Sequence, residues 1–599
     1  MQAEEPPVST LPLDWPLTNT EHGLLVAFGE FLRQHGLLER LQQVPIPQKT
    51  HVFSPQGKLI EFLAAIMSGI EHLQDFNHGP RPLARDAAVA QAWGLEGFAH
   101  YTTLGRTLAA CDEQTVIATE AAISAFSRPF VQTTVHDLLR RGQPLIYDLD
   151  LTGQAVSSTS TTYPEAAFGW MNDRVRLGYQ LARVSLSPRA GQRVWLAGFH
   201  HPGNTLSTDC LKELLLAAES QTGVRPRRRT ELVPQRLEQQ QAVGARWRRL
   251  AEQQQARRDR LQATQTRLIG RLYHAGQLQN GPISPKKQAR LRQQVAGWQK
   301  RLPKLAAQLV KAEQLLAHHQ ASAQQQATRL SELQAWQVKL VADNRANPNP
   351  PAEVEARMDA GFTSGENLAW LLEMGYTPNT KAHNGQTASA LRARLPRHPE
   401  WQAVGENAEM VLVGDYQMHD CPYTLTAAIE RFKVGRHFKY ATLVRYGPAP
   451  GLEVWFAHYN ARQTIEAGNK EMKGTFHVQH LMSRSPAGIR LQVLFTGLAA
   501  NVVRWCRAWL QDCAAEPTPT ITRTLTSPRR LVRVAANSAA LVQHTAQGLA
   551  LRFAPASALP NATFFLHGVP AFQLPLGFHQ PCKIASDATR SPLNAHSLG

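Results

Sequence analysis

The stretch YNARQTIEAGNKEMK, at positions 459–473, carries four side chains suited to binding phosphate or a metal ion. They are Tyr459, Arg462, Glu466 and Lys473, and their spacing predicts that all four lie within roughly 60° of one helix face. A helix that packs only for stability turns an apolar stripe inward, whereas this face is polar and carries both signs of charge. The pattern therefore favours a ligand-binding face.

Two aspartates near the ends of predicted strands add to this set. Asp150 follows the apolar run PLIYDL, and Asp359 follows VEARM just before a predicted helix. With Glu466 they would put three carboxylates on separate rigid elements, as a site for two hard divalent ions requires. Asp148, on the same strand face, remains an alternative to Asp150. Asp415 in VLVGDY is a rival to Asp359, although it lies within a run of predicted strands.

Composition limits the class of protein to a globular one with a polyanionic partner. The chain has 599 residues, of which 43% are hydrophobic and 18% charged, and a formal net charge of +18. Such a charge favours nucleic acid as the partner and, less strongly, an anionic membrane surface.

The six cysteines form no C-x-x-C pair and no short Cys/His spacing that would build a disulfide framework or a zinc site. The acidic N-terminus and the lack of a long apolar run predict a cytoplasmic protein without membrane contact.

Nearly all of the excess charge lies in one segment. Residues 225–340 contain 23 Lys and Arg against 6 Asp and Glu, an excess of 17. Within it, NGPISPKK at 280–287 predicts a turn, and the second half carries a heptad stripe. The stripe consists of Leu291, Val295, Trp298, Leu302, Leu305, Leu309, Ala312 and Leu316. We expect an antiparallel coiled-coil hairpin, which is either a DNA clamp or a solvated arm that dimerises or spaces.

The segments on either side of this hairpin differ in periodicity. Residues 20–135 show helical periodicity in several short segments, which predicts an all-helical block. Within it, AVAQAWGLEGFAHYTTLGRTL fits plain helical packing better than a DNA-reading helix-turn-helix, because no base-reading residue stands out. From residue 141 onward, apolar and β-branched runs alternate with amphipathic helices, which predicts a mixed α/β layer.

Together these motifs resemble a known family. The Y-x2-R-x3-E-x6-K spacing of Tyr459, Arg462, Glu466 and Lys473 matches the signature of the DDE transposases of bacterial insertion sequences, which cut and paste through DNA hairpins. DLDLTG and RMDAGF resemble the first and second aspartate motifs of that family, and the D-x-T-G step favours Asp150 over Asp148. The resemblance covers positions 20–515.

The resemblance implies a fold and a site. It implies a ribonuclease H-like mixed sheet core with a β-rich insertion and an N-terminal all-helical domain. With the basic coiled-coil hairpin that the residue pattern predicts as an insertion, the expected fold class is α/β. Asp150, Asp359 and Glu466 would be the catalytic triad and bind two Mg²⁺ ions, for which Mn²⁺ can substitute. The three remaining signature residues would bind DNA phosphates. The partners would be double-stranded DNA, both terminal inverted repeats and target, and a second copy of the chain on DNA, in a bacterial, nucleoid-associated setting.

The predicted division of the chain follows from these patterns. Its parts are a disordered N-terminus (1–19), a helical DNA-binding domain (20–140), the first part of the catalytic core (141–224), the basic coiled-coil insertion (225–345), the second part of the core (346–383), the β-rich insertion (384–450), the catalytic helix region (451–515) and a C-terminal tail region with strand-like pieces such as RRLVRVAAN (516–599).

Two other functions remain open from the sequence. A ribonuclease H-like endonuclease without strand transfer would share the triad, and a catalytically inactive DNA-binding descendant would keep the basic arm and the helical domain. The arm between the two aspartate motifs is not part of the usual core of the family, so the resemblance does not explain it.

Overall fold

The computed structural model describes residues 17–171, 173–187, 193–347, 349, 351–382, 385–545 and 548–568. The helices are α1 (Gly23–Gln34), α2 (Leu37–Leu41), α3 (Pro55–Met67), α4 (Asp75–His78), α5 (Ala87–Ala92), α6 (Tyr101–Ala110), α7 (Glu113–Arg140), α8 (Ser207–Thr222), α9 (Val233–Gln279), α10 (Pro285–Arg345), α11 (Gly365–Glu373), α12 (Gly385–Arg392), α13 (Leu452–Asn460), α14 (Gln463–Thr475), α15 (Pro486–Cys513), α16 (Pro519–Leu525) and α17 (Pro528–Arg530). The strands are β1 (Leu17–Thr20), β2 (Leu145–Ala155), β3 (Ala167–Met171), β4 (Arg174–Leu186), β5 (Val194–Pro202), β6 (Val354–Arg357), β7 (Thr377–Lys381), β8 (Gln402–Gly405), β9 (Ala408–Gln417), β10 (Thr424–Val434), β11 (His437–Arg445), β12 (Ala540–Thr545), β13 (Gly548–Phe553) and β14 (Thr563–Leu566).

The predicted mixed α/β class is confirmed, because ten strands form one mixed sheet. Its order is β3, β4, β2, β6, β7, β11, β10, β9, β8, and β5 also pairs with β4. Strands β2, β6 and β7 are parallel, whereas β4 is antiparallel to β2 and to β5. Parallel neighbours bring the carboxyl ends of their strands to one edge of the sheet, which is where α/β proteins bind ligands. The strands of 384–450 extend this sheet, since β11 pairs with β7.

The two faces of β2 have different surroundings. Its first six residues are buried, as expected for a strand at the centre of a sheet. Tyr147 and Leu149 point into a core that they share with residues of α8 and α11. Because side chains alternate along a strand, Asp148 and Asp150 point to the other face, where α14 packs on β2.

The hydrophobic core of the predicted helical block includes α15 and continues to β4, β5 and α14. Residues of α1, α3, α5 and α7 share one hydrophobic cluster with α15. Asn501 of α15 also ties this block to the sheet, because its side chain exchanges hydrogen bonds of 2.9 and 2.8 Å with the backbone of Trp195 in β5. In the described part of the chain, α15 is the one helix long and apolar enough to cross a membrane, and 78% of its most apolar window is buried inside the protein.

Two predictions about the chain ends are wrong for residues that the structure describes. Residues 17–19 of the predicted disordered N-terminus belong to β1, which pairs with β12; residues 1–16 lie outside the described residues. The piece RRLVRVAAN, predicted as strand-like, is instead helical from Pro528 to Ala535, because Ser527 caps the backbone N–H of Arg530 and Pro528 occupies the first turn. The predicted tail up to residue 568 packs on the helical block through β12, β13 and β14.

The basic segment forms a hairpin of two long antiparallel helices. Gln240 of α9 contacts Gln326 of α10 at 2.6 Å, and Trp247 lies against His318 and His319, so residue numbers run in opposite directions. At 1.5 Å per residue, the 47 residues of α9 span about 70 Å. The hairpin is anchored at its base, where the buried Arg228 makes a two-bond ion pair with Glu219 of α8.

Candidate active site

Parallel pairing of β2 with β6 brings two aspartates to one edge of the sheet. The register sets Asp148 opposite Arg357, and two further residues along each chain lead to Asp150 and Asp359. Asp359 lies two residues after the end of β6, and its carboxylate accepts a hydrogen bond of 2.9 Å from the Gly361 N–H in the short 3₁₀ turn that follows. The strand register therefore explains why these two acids, far apart in sequence, are neighbours.

The guanidinium of Arg462 links this edge to the helix α14. Its Nη1 lies 3.4 Å from Oδ1 of Asp150, and its Nη2 lies 3.5 Å from Oε1 of Glu466. Burial alone would lower the pKa of Arg462, but the Tyr459 phenol and the carboxylates of Asp359, Asp150 and Glu466 raise it above its ordinary value. The arginine is thus the cation around which the three acids gather.

The pKa of Asp150 reflects both its burial and its neighbouring charges. Its pKa is raised to about 6, chiefly by burial; Arg462 acts to lower this pKa, whereas Asp359 and Glu466 act to raise it. A carboxyl that responds to two like charges shares one electrostatic environment with them. The oxygens of the three acids do not all lie within 4.8 Å of one another, so the group is open around the guanidinium rather than collapsed.

The prediction that the four signature residues share one helix is wrong. Tyr459 belongs to α13, and Arg462 precedes α14, so a tight turn separates them. In a continuous helix, the N–H of Arg462 would bond the carbonyl of His458; that carbonyl instead accepts a hydrogen bond of 2.6 Å from Arg357, and the Arg462 N–H bonds the Tyr459 carbonyl. The buried arginine of β6 thereby ends α13.

The other two signature residues flank the acids on different sides. The Lys473 ammonium donates a hydrogen bond of 2.8 Å to the Thr152 hydroxyl of β2. Burial lowers its pKa and the nearby Arg183 lowers it further, whereas Asp150 raises it. The Tyr459 phenol lies 3.4 Å from the carbonyl of Met358, and burial raises its pKa to about 12, so it is neutral.

The two alternative aspartates are placed differently. Asp148 is fully buried, and its carboxylate accepts two hydrogen bonds from Arg357. It also forms an ion pair of 2.9 Å with Arg193. These donors engage both of its oxygens. Asp415 lies in β9, and three strands, β7, β11 and β10, separate that strand from β6. Neither residue joins the group around Arg462.

Two residues at the site were missed from the sequence. The Asn469 amide donates a hydrogen bond of 2.6 Å to Oδ2 of Asp150, and its oxygen accepts one of 3.1 Å from the buried Arg183. Asn469 lies only about 20° outside the helix face defined by the signature, so a slightly wider stripe would have included it. Arg183 is opposite Asp150 in the β2 and β4 pairing, a relation that spacing along the chain does not contain.

The donor set fits hard divalent cations. Carboxylate oxygens are the ligands that Mg²⁺ prefers, and here they come from a strand, a strand end and a helix. Asp150 is buried with a raised pKa, so a dication beside it would relieve both its desolvation and the repulsion from Asp359 and Glu466. Binding would require Arg462 to move from between the acids, where it holds two of them at 3.4 and 3.5 Å.

No protein-family model matches the chain, and the comparison with curated proteins found no match. Function is therefore inferred from the site and from the resemblance of its motifs.

Proposed function

We propose that this protein is a DDE transposase, a metal-dependent enzyme that transfers DNA phosphoryl groups during excision and integration of an insertion sequence. The observation that carries the proposal is that Asp150 and Glu466 both contact Arg462, that Asp359 acts electrostatically on Asp150 and Arg462, and that Lys473 lies alongside. Three carboxylates from different elements, flanked by phosphate-binding cations, suit in-line displacement at phosphorus.

The strand arrangement supports the ribonuclease H-like core that the proposal requires. The first long strands of this sheet along the chain are β2, β4 and β5, and the short β3 lies between β2 and β4 in sequence. In the sheet, β4 pairs antiparallel with both β2 and β5. After α8 and the basic hairpin, β6 pairs in parallel with β2 on its other side, and β7 pairs in parallel with β6. Helix α11 connects β6 to β7. In this arrangement, β2 is central and Asp150 is its middle residue.

Asp150, Asp359 and Glu466 would hold the metal ions. When bound, Mg²⁺ supplies activation of the attacking water or DNA 3′-hydroxyl and stabilises the leaving oxygen. Asn469 orients the carboxylate of Asp150 through its 2.6 Å hydrogen bond, and Arg183 in turn fixes the amide of Asn469. This chain of contacts sets the direction in which Asp150 presents its other oxygen.

The phosphate-binding roles follow from the type and place of each cation. Arg462 offers a planar fork that can bind two phosphate oxygens at once, and Lys473 offers a compact ammonium at the opposite end of α14. The neutral Tyr459 phenol can donate a hydrogen bond to a phosphate oxygen. DNA lying along α14 would contact both cations while its scissile phosphate faces the acids.

The basic hairpin supports DNA as the partner. Six exposed arginines fall within roughly 80° of one face of α9 and extend over about 38 Å of that helix. They are Arg246, Arg249, Arg257, Arg260, Arg267 and Arg271. A single-signed stripe of this length fits a run of DNA phosphates and favours the clamp over a purely structural arm.

The proposal is tested by cleavage of a labelled duplex that carries the DNA flanking the gene. We expect Mg²⁺-dependent cleavage at the element boundary, lost in Glu466→Gln and Asp359→Asn while DNA binding stays near normal. The matched control is Glu471→Gln, on the same helix, because Glu471 pairs with Arg504 away from the acids; it should still cleave.

Each outcome of this experiment separates the alternatives. Cleavage followed by joining of the 3′ end to target DNA supports the transposase, whereas cleavage without joining indicates an endonuclease of the same chemistry. Binding without cleavage in Mg²⁺ or Mn²⁺ would indicate an inactive DNA-binding descendant. Equal loss of binding and cleavage in Glu466→Gln would make Glu466 a structural residue.

A further inference from the structure

A second cluster of ligand-type side chains lies where the helical block meets the end of α14. The loop after α3 packs closely on this end: a Cβ added to Gly69, which has φ +71°, would lie 3.1 Å from the carbonyl of Thr475. This loop continues into Glu71 and His72, and the segment after α14 carries His480. Two parts of the chain far apart in sequence thus meet at one junction.

Three side chains at this junction point at one another. Nδ1 of His480 lies 2.8 Å from Oε1 of Glu71, and the ring of His72 stacks on that of His480 with centroids 5.4 Å apart. One ligand atom from each of the three lies within 4.8 Å of the others, and no other group of three Asp, Glu, His or Cys residues in the described ranges meets this condition.

We propose that Glu71, His72 and His480 form a binding site for a transition-metal dication such as Zn²⁺. Two imidazoles and one carboxylate are a ligand set that suits zinc, and a water can complete the coordination. The cluster differs in chemistry from the all-carboxylate group at α14, which suits Mg²⁺ or Mn²⁺. The proposal does not depend on the function proposed above.

The existing contacts show how the ion would enter. The hydrogen bond between His480 and Glu71 joins two ligands through a proton, and a metal ion replaces that proton because histidine ligates only as the neutral imidazole. His477 is not part of the ligand set, since its Nε2 lies 3.3 Å from Nη2 of Arg533 and accepts its hydrogen bond. The ring of His477 lies 5.9 Å from that of His480, so Arg533 is a nearby cation whose repulsion metal binding must overcome.

A bound metal ion would link the helical block to the region of α14 and β2. His480 is held to α15 by the side chain of Gln492, which donates a hydrogen bond of 2.8 Å to its carbonyl. The neighbouring Val478 carbonyl accepts a hydrogen bond from Gln154 of β2. A metal ion on His480 would therefore fix the loop after α3 to the segment that connects α14, β2 and α15.

The test is calorimetric titration of the full-length protein with Zn²⁺ at neutral pH, with a thermal melt at each end point. We expect His72→Ala and His480→Ala each to lose one equivalent of bound zinc relative to wild type, and to lose the rise in melting temperature that zinc produces. His72 is exposed, so its truncation leaves the packing intact. The matched control is His78→Ala, an exposed histidine of the same block whose ring lies near His100 and Tyr101.

The control should keep the full zinc stoichiometry. An unchanged stoichiometry in His72→Ala, or an equal loss in His78→Ala, would overturn the proposal. Retention of the same equivalent in Glu466→Gln supports it, because that variant changes the acidic group and leaves the histidine cluster intact.

Discussion

Replacing Asp150 by Asn should stabilise the metal-free protein at neutral pH, although the substitution removes a central residue of the proposed site. Burial raises the pKa of Asp150 to about 6 from its ordinary value of 3.8. Between these two values, the folded state binds more protons than the unfolded state, so this carboxyl costs stability as the pH rises. Asparagine carries no charge at any pH and removes that cost.

The magnitude follows from the two pKa values. A tenfold difference in proton affinity between the folded and unfolded states corresponds to about 1.4 kcal/mol, so the expected gain is about 0.5 kcal/mol at pH 4 and about 3 kcal/mol at pH 7.5. The pKa of about 6 already includes the attraction of Arg462, but the hydrogen bond that Asn469 donates to the carboxylate becomes weaker when an uncharged amide oxygen accepts it, so a net value of about 2 kcal/mol is expected at neutral pH. For cooperative unfolding of all 599 residues, whose unfolding entropy is about 1.3 kcal/mol/K, this corresponds to a rise in melting temperature of roughly 1.5 °C.

The assay is thermal unfolding followed by circular dichroism in chelator-containing buffers from pH 4 to pH 8. The matched control is Asp148→Asn, on the same strand face, because Asp148 compensates the buried Arg357 and Arg193. It should be destabilised by about 3–5 kcal/mol. If Asp150→Asn is destabilised in the same way, or if its difference from wild type does not grow with pH, the idea of repulsion among the acids is refuted. Added Mg²⁺ should stabilise wild type more than Asp150→Asn.

Two further predictions concern other parts of the molecule. Replacing the exposed Arg257, Arg260, Arg267 and Arg271 by Gln should lower the slope of log affinity for DNA against log salt by up to about 3.6, and an unchanged slope would assign the hairpin to dimerisation or spacing. In the helical block, burial raises the pKa of Glu61 to about 8, so wild type should lose stability as the pH rises from 4.5 through 8. Glu61→Gln should remove that loss, up to about 4.6 kcal/mol at pH 8.5 in chemical denaturation, whereas parallel pH profiles of the two proteins would contradict the prediction.

Local spacing and charge determined much of this protein. The 47- and 61-residue helices of the hairpin, the turn between them and the polar face of Glu466 and Lys473 follow from periodicity, which depends only on neighbours along the chain. The strand runs around Asp150 and Asp359 follow from apolar content in the same way. The prediction of strand for RRLVRVAAN was wrong because the Ser-Pro helix start overrode its β-branched composition.

Tertiary structure decided which of these side chains work together. Asp148 and Asp150 lie on the same predicted strand face. The register of β2 against β6 pairs Asp148 with Arg357 and leaves Asp150 facing Arg462. The break between α13 and α14, like the meeting of His72 with His480, also comes from contacts between distant segments. Spacing along a chain cannot contain such pairings, because they depend on how strands register and helices pack.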